Sequence, residues 1–148
     1  MREANEAAKT LGLELVPVDV NLLREHSPAL EIYRAARVQA VLGLPDDDLF
    51  RLFLGTIVSA ANELRIPSFF DTSDVIDTGA TMSYGPDSFD AFRRSASYID
   101  KLAKGAKAAE LPVEQPVKVE FVINAKRAAE FGLKIPREAL LRADVVVR

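Results

Sequence analysis

The feature that most restricts the fold of this chain is a helix-period stripe that runs straight into a short apolar stretch. Phe50, Phe53, Leu54, Ile57, Val58, Ala61 and Leu64 recur at spacings of three and four, which puts them on one side of an α-helix. One residue later comes Ile66-Pro67-Ser68-Phe69-Phe70, too short for a helix and apolar enough for a strand covered on both faces. The same helix-then-strand order is predicted upstream. Residues Arg2 to Leu11 place Ala4, Ala7, Ala8 and Leu11 on one face, with Gly12 as the C-terminal cap, and Leu13 to Val18 alternates as a strand. Ser27-Pro28 opens a helix through Ala36, and Val38 to Leu44 forms the next strand. An αβαβαβ order requires crossover connections between parallel neighbours. The expected fold is therefore α/β, an open and mostly parallel sheet with helices on both faces, doubly wound in the Rossmann or flavodoxin manner.

Downstream, Ser73 to Thr78 reads as a helical turn, Ala80 to Ser83 as a short strand, and Gly85-Pro86-Asp87 as a break that starts another helix. In that helix Phe89, Phe92, Ala96, Ile99 and Ala103 step by three and four. Lys104 to Pro116 is a connecting segment. Val117, Val119, Phe121 and Ile123 alternate with Lys118, Glu120 and Asn124 as a strand with one apolar face, and a terminal helix pair closes the chain. Ligands of such sheets sit in the crevice beyond the carboxyl ends of the strands, which directs attention to Pro45-Asp46, Phe70-Asp71 and Ser83-Tyr84. Ser83 and Tyr84 are candidate donors to a ligand carboxylate. Asp71 or Asp46 can pair with an ammonium group, and Phe69, Phe70 or Tyr84 can form an apolar wall.

Composition excludes several functions. A net charge of −3 with 19 scattered basic residues gives no footprint for nucleic acid or an anionic membrane. The absence of cysteine removes thiolate catalysis and Cys-ligated zinc. Asp46, Asp47 and Asp48 crowd enough charge for a cation, but at the start of a helix they serve as N-cap and dipole partners. His26 stands beside Glu25 and Ser27, and neighbours in sequence do not converge into a triad. The basic run of Arg93, Arg94, Lys101, Lys104 and Lys107 reads as a solvated helix face. With no nucleophile elbow, phosphate-cradling loop or metal motif, no catalytic residue, metal or cofactor is expected. The first residues lack the basic start and apolar run of an export signal.

Taken in order, several stretches carry a family likeness: Met82-Ser83-Tyr84-Gly85-Pro86-Asp87, Arg93 to Lys101, Lys104-Gly105-Ala106-Lys107, and Leu111-Pro112-Val113-Glu114-Gln115-Pro116. Phe121-Val122-Ile123-Asn124, Gly132-Leu133-Lys134-Ile135-Pro136 and Leu140 to Asp144 continue it. These resemble the ABC-transporter substrate-binding proteins, including those that handle aromatic amino acids, and the likeness is strongest from Ile66 onward. The resemblance implies a periplasmic-binding-protein-like lobe, a small amino-acid-like ligand held between two lobes, a permease partner and a periplasmic location. As written, without a signal, the chain would stay in the cytoplasm. Members of the family are about twice as long. By the resemblance, residues 1–86 are the second lobe without its first strand, 87–116 are a crossover helix and linker that pack on the first lobe, and 117–148 return to the second. The apolar face of the 87–103 helix is then expected to lack its partner and ligand binding to be weak. The alternative is a stand-alone truncated module that acts by self-association, as a homodimer. A receiver-like or flavodoxin-like regulatory domain is a minor third reading.

Overall fold

The computed structural model describes residues 2–19, 26–44 and 48–148. Five strands form one sheet in the order β1-β2-β3-β4-β5: β1 (Val41–Leu42), β2 (Ser68–Phe70), β3 (Met82–Pro86), β4 (Val119–Asn124) and β5 (Val145–Val147). The β1-β2, β2-β3 and β4-β5 pairs are parallel, and β3-β4 is antiparallel. Around the sheet lie α1 (Arg2–Leu11), α2 (His26–Ala35), α3 (Asp48–Glu63), α4 (Ser88–Ala103), α5 (Ala125–Glu130) and α6 (Arg137–Arg142). The expected α/β class, a mostly parallel sheet with helices around it, is the observed one.

The core forms where α2 and α3 cover one face of the sheet. Leu54, Ile57, Val58, Ala60 and Ala61 of α3 meet Ala29, Leu30 and Tyr33 of α2, and Phe70 of β2 and Val122 of β4 close the cluster. Each fully buried large side chain contributes about 1.5–3 kcal/mol, so this stripe is the main source of stability. Tyr33 carries a cost: its hydroxyl is buried with no hydrogen-bond partner among the described residues, and burial pushes its pKa up to about 12. Both helices end in the same way. Arg37 and Arg65 take the left-handed conformation at φ 51° and 55°. Val38 N–H then donates to Tyr33 at 3.2 Å, and Ile66 N–H to Ala61 at 2.9 Å. These closures turn each helix sharply toward the strand that follows.

Four expectations are corrected. Leu13–Val18 is no strand but irregular and largely exposed chain. Alternation alone makes no ladder, and this segment pairs with no strand: β1, at the edge of the sheet, is paired only with β2 among the described residues. Gly85 and Pro86 do not break the chain; they extend β3 and pair with Glu120 and Val119. Proline is tolerated there because it ends the strand. The chain does not end in a helix pair, because after α6 the three valines of β5 pair in parallel with β4, as β-branched residues favour. Finally, β4 does not alternate. Val122, Ile123 and Asn124 are all buried, because β4 is flanked by β3 and β5 and covered on both faces at that end.

The 87–103 helix appears as α4, capped by Asp87, whose carboxylate accepts the Asp90 N–H at 3.0 Å. No residue of α4 is buried. Phe89 is 81% exposed, Phe92 77% and Ile99 67%. Among the described residues no helix is long and apolar enough to cross a membrane.

Candidate functional site

The sheet brings its chemistry to one edge. Since β4 runs against β3, its first residues lie beside the last residues of β3, and Tyr84 pairs with Phe121. The two rings meet edge to face, with centroids 6.0 Å apart and planes at 78°. Tyr84 remains 57% exposed. The edge is fixed from the other side by Asp144, whose carboxylate accepts the Phe121 N–H at 2.8 Å while its own N–H donates to the Phe121 carbonyl at 2.8 Å.

Asp71 leaves the end of β2, half-buried, and its backbone crosses directly over Gly85. A Cβ at position 85 would stand 1.7 Å from the Asp71 carbonyl oxygen. Only glycine permits this approach, and it holds the β2 exit against the β3 exit. The carboxyl edge is therefore a rigid platform that displays a half-buried carboxylate beside an aromatic pair.

The pleat divides the predicted residues between two faces. Ser83 pairs with Phe70, and both point toward α2 and α3. Phe70 has no exposed surface and spends its contacts on the core. Ser83 is buried too, with its Oγ lacking a hydrogen-bond partner. Tyr84 faces the opposite way, on the side of Phe69 and Met82, which pair with each other in the adjoining strands. Adjacent residues thus do not converge: Tyr84 and Asp71 stand at the open edge, and Ser83 and Phe70 lie behind it. Asp46 and Pro45 fall outside the described residues.

Phe121, Gly85 and Asp144 were missed as site residues. Phe121 comes next to Tyr84 only through an antiparallel pairing that spans residues 87–118, a separation that no local pattern reveals. Gly85 did carry a signal, because glycine inside a strand marks close backbone approach. Beside Pro86 and Asp87 it reads instead as a break before the next helix.

A second feature lies beside this edge. Residues 107–118 run along α4 as a strap and enclose with it an open groove of about 550 Å³. Polar contacts hold the strap down. Arg94 binds the Glu114 carboxylate, Tyr98 Oη donates to the Pro112 carbonyl at 2.8 Å, and Lys118 Nζ meets Asp87 at 2.7 Å. The Arg94 and Tyr98 hydrogen bonds hold Glu114 below the usual carboxylate range, and the Lys118 ammonium does the same for Asp87.

The model of the family described as ABC transporter substrate binding protein matches residues 1–147. The chain belongs to that family. Solved structures share the fold. A conserved domain protein from Vibrio cholerae O1 biovar El Tor superposes with a TM-score of 0.80 at 24% identity, over 99% of this chain and 49% of that one. An ABC domain from Streptococcus pneumonia in complex with L-Trp gives 0.78 at 25% identity, over 99% and 50%. A ligand-free, open substrate binding protein with adhesive properties from Clostridium difficile gives 0.59 at 16%, over 98% and 48%. No curated protein matches. This member of the substrate-binding family spans about half the length of the solved relatives.

Proposed function

We propose that this chain forms one wall of a solute-binding cleft in an ABC-type uptake system, with an amino-acid-like ligand resting on the carboxyl edge of β2 and β3. The observation that carries this reading is the exposed Tyr84 ring braced by Phe121 at that edge, in a family whose Streptococcus relative was crystallised with L-Trp. The Tyr84 ring packs against an apolar or aromatic side chain of the ligand. Asp71 pairs with its ammonium group, a role for which Asp46 is the other candidate by sequence alone. Ser83 and Phe70, both buried on the face behind Tyr84, support the wall from the core side. The remaining length of the family supplies the facing wall, and the loaded cleft docks on a membrane permease outside the cytoplasm.

A one-walled site leaves half the ligand in water, so affinity for the isolated chain falls to a dissociation constant of about 1 mM, or about −4 kcal/mol. The chain contains no tryptophan, so the fluorescence anisotropy of added L-Trp reports binding without background. A saturable rise that Tyr84→Ala abolishes is the expected result. A flat titration, or one unchanged in Tyr84→Ala, would sink the assignment of this edge.

A further inference from the structure

The strand that carries Phe121 is held from two sides, and the two sides are built differently. On one side β3 accompanies β4 through five residue pairs, from Met82–Ile123 to Pro86–Val119. On the other, β5 pairs only with Val122, Ile123 and Asn124 and stops one residue short of Phe121. The regular ladder cannot extend further, because Arg142 closes α6 and Ala143 caps it, with the Ala143 N–H bonded to the Ala139 carbonyl at 3.1 Å. A single residue, Asp144, is left between that helix and β5.

The alternation of β4 gives Asp144 its task. The Asn124 N–H donates to the Thr81 carbonyl at 2.9 Å, and the Asp87 N–H donates to the Lys118 carbonyl at 3.0 Å. Even-numbered positions of β4 and its lead-in therefore turn their backbone groups toward β3, and odd-numbered positions turn theirs away from it. Phe121 thus presents its N–H and its carbonyl to the side where the β5 ladder has ended. Asp144 serves both. Its own N–H donates to the Phe121 carbonyl at 2.8 Å, and its carboxylate accepts the Phe121 N–H at 2.8 Å. A side chain stands in for the ladder acceptor that the exit from α6 removes.

We infer that Asp144 is a positioning residue of the binding edge: it fixes Phe121, and through the edge-to-face contact the Tyr84 ring, without touching the ligand. The inference rests on the reading of the Tyr84 edge as a ligand wall. Val122 and Ile123 are buried at 4% and 0% and keep β4 in the sheet with or without Asp144. Phe121 is only half-buried, on the face away from α2 and α3, where its ring meets Tyr84 at a centroid distance of 6.0 Å. Loss of the Asp144 acceptor leaves the Phe121 N–H unbonded and this end of β4 attached to β3 alone, free to twist about it and carry the aromatic pair out of register.

Nuclear magnetic resonance of the 148-residue chain tests this with and without ligand. The ring protons of Tyr84 feel the ring current of Phe121, so Phe121→Leu supplies the spectrum of a broken pair. Asp144→Ala should move the Tyr84 ring resonances toward that spectrum and raise the L-Trp dissociation constant about fivefold, the factor for one lost hydrogen bond. Asp144→Asn, whose amide oxygen accepts the same N–H, should restore most of both. Amide protection at Val122 and Ile123 should match the parent in both variants, a result that a merely structural role would not give. Unmoved Tyr84 resonances in Asp144→Ala overturn the inference. So does an Asp144→Asn chain that behaves like Asp144→Ala, or an affinity loss that comes together with unprotected Val122 and Ile123. If the parent chain fails to bind L-Trp, the ligand reading falls by itself, and the Tyr84 resonances alone support or overturn the placing of the pair by Asp144.

Discussion

Helices α3 and α4 have the same length, 16 residues, and comparable apolar stripes, yet they have opposite fates. Among the described residues α3 supplies five buried side chains to the core, four of them from its stripe, whereas α4 buries none. The sequence pattern that makes a helix amphipathic records that a partner is required and is silent about where the partner lies. For α3 the partner is the sheet of the same chain. For α4 no partner covers the stripe among the described residues.

The most direct way to break this comparison is to cut matching positions. Ile57→Ala removes a fully buried side chain and should cost about 2–5 kcal/mol, read from urea unfolding. Ile99→Ala, measured at low protein concentration, should change stability by less than about 0.5 kcal/mol. Equal losses would mean that α4 is held within the fold. Gly85→Ala sharpens the comparison at the joint between the two regions, where a methyl group would overlap the Asp71 carbonyl. A cost of about 1–3 kcal/mol is expected, together with loss of L-Trp binding as the β2 and β3 exits are pushed apart. Stability without a change in binding would remove the close approach from the account of the site.

The smallest expected effect concerns the strap. Glu114 and Asp87 have carboxyl pKa values held below the ordinary range, by Arg94 and Tyr98 in one case and by Lys118 in the other. Their contribution is complete above the ordinary carboxylate pKa, about 4, and is lost as pH falls through the depressed folded values. Protection of residues 107–118 against hydrogen exchange, taken relative to the intrinsic rate at each pH, should therefore fall in acid while the core around Ile57 stays protected. Glu114→Gln should bring part of that loosening to neutral pH. Simultaneous opening of strap and core would show that the two regions melt as one.

Local pattern made the α/β class, α3 and the 88–103 helix legible, because each depends on periodicity within a few turns. It misread Leu13–Val18, since a strand is defined by its neighbours and alternation cannot supply them. It misread Val145–Val147 for the converse reason: three residues too few to show a period become a strand when β4 lies alongside. Ser83 and Tyr84 were found by their place at a strand end, and only the pleat revealed that they face opposite ways. Phe121 was invisible as a site residue because the contact that gives it a role crosses the whole of α4 and its strap.

The excursion from Pro86 to Val119 leaves and re-enters the sheet at paired residues, and Asp87 N–H closes its base on the Lys118 carbonyl at 3.0 Å. The two backbones together form a neck. The next residues inward from that neck include Tyr84 and Phe121, two positions from Pro86 and Val119, so the aromatic pair stands at the root of the excursion, where both of its backbones enter the sheet.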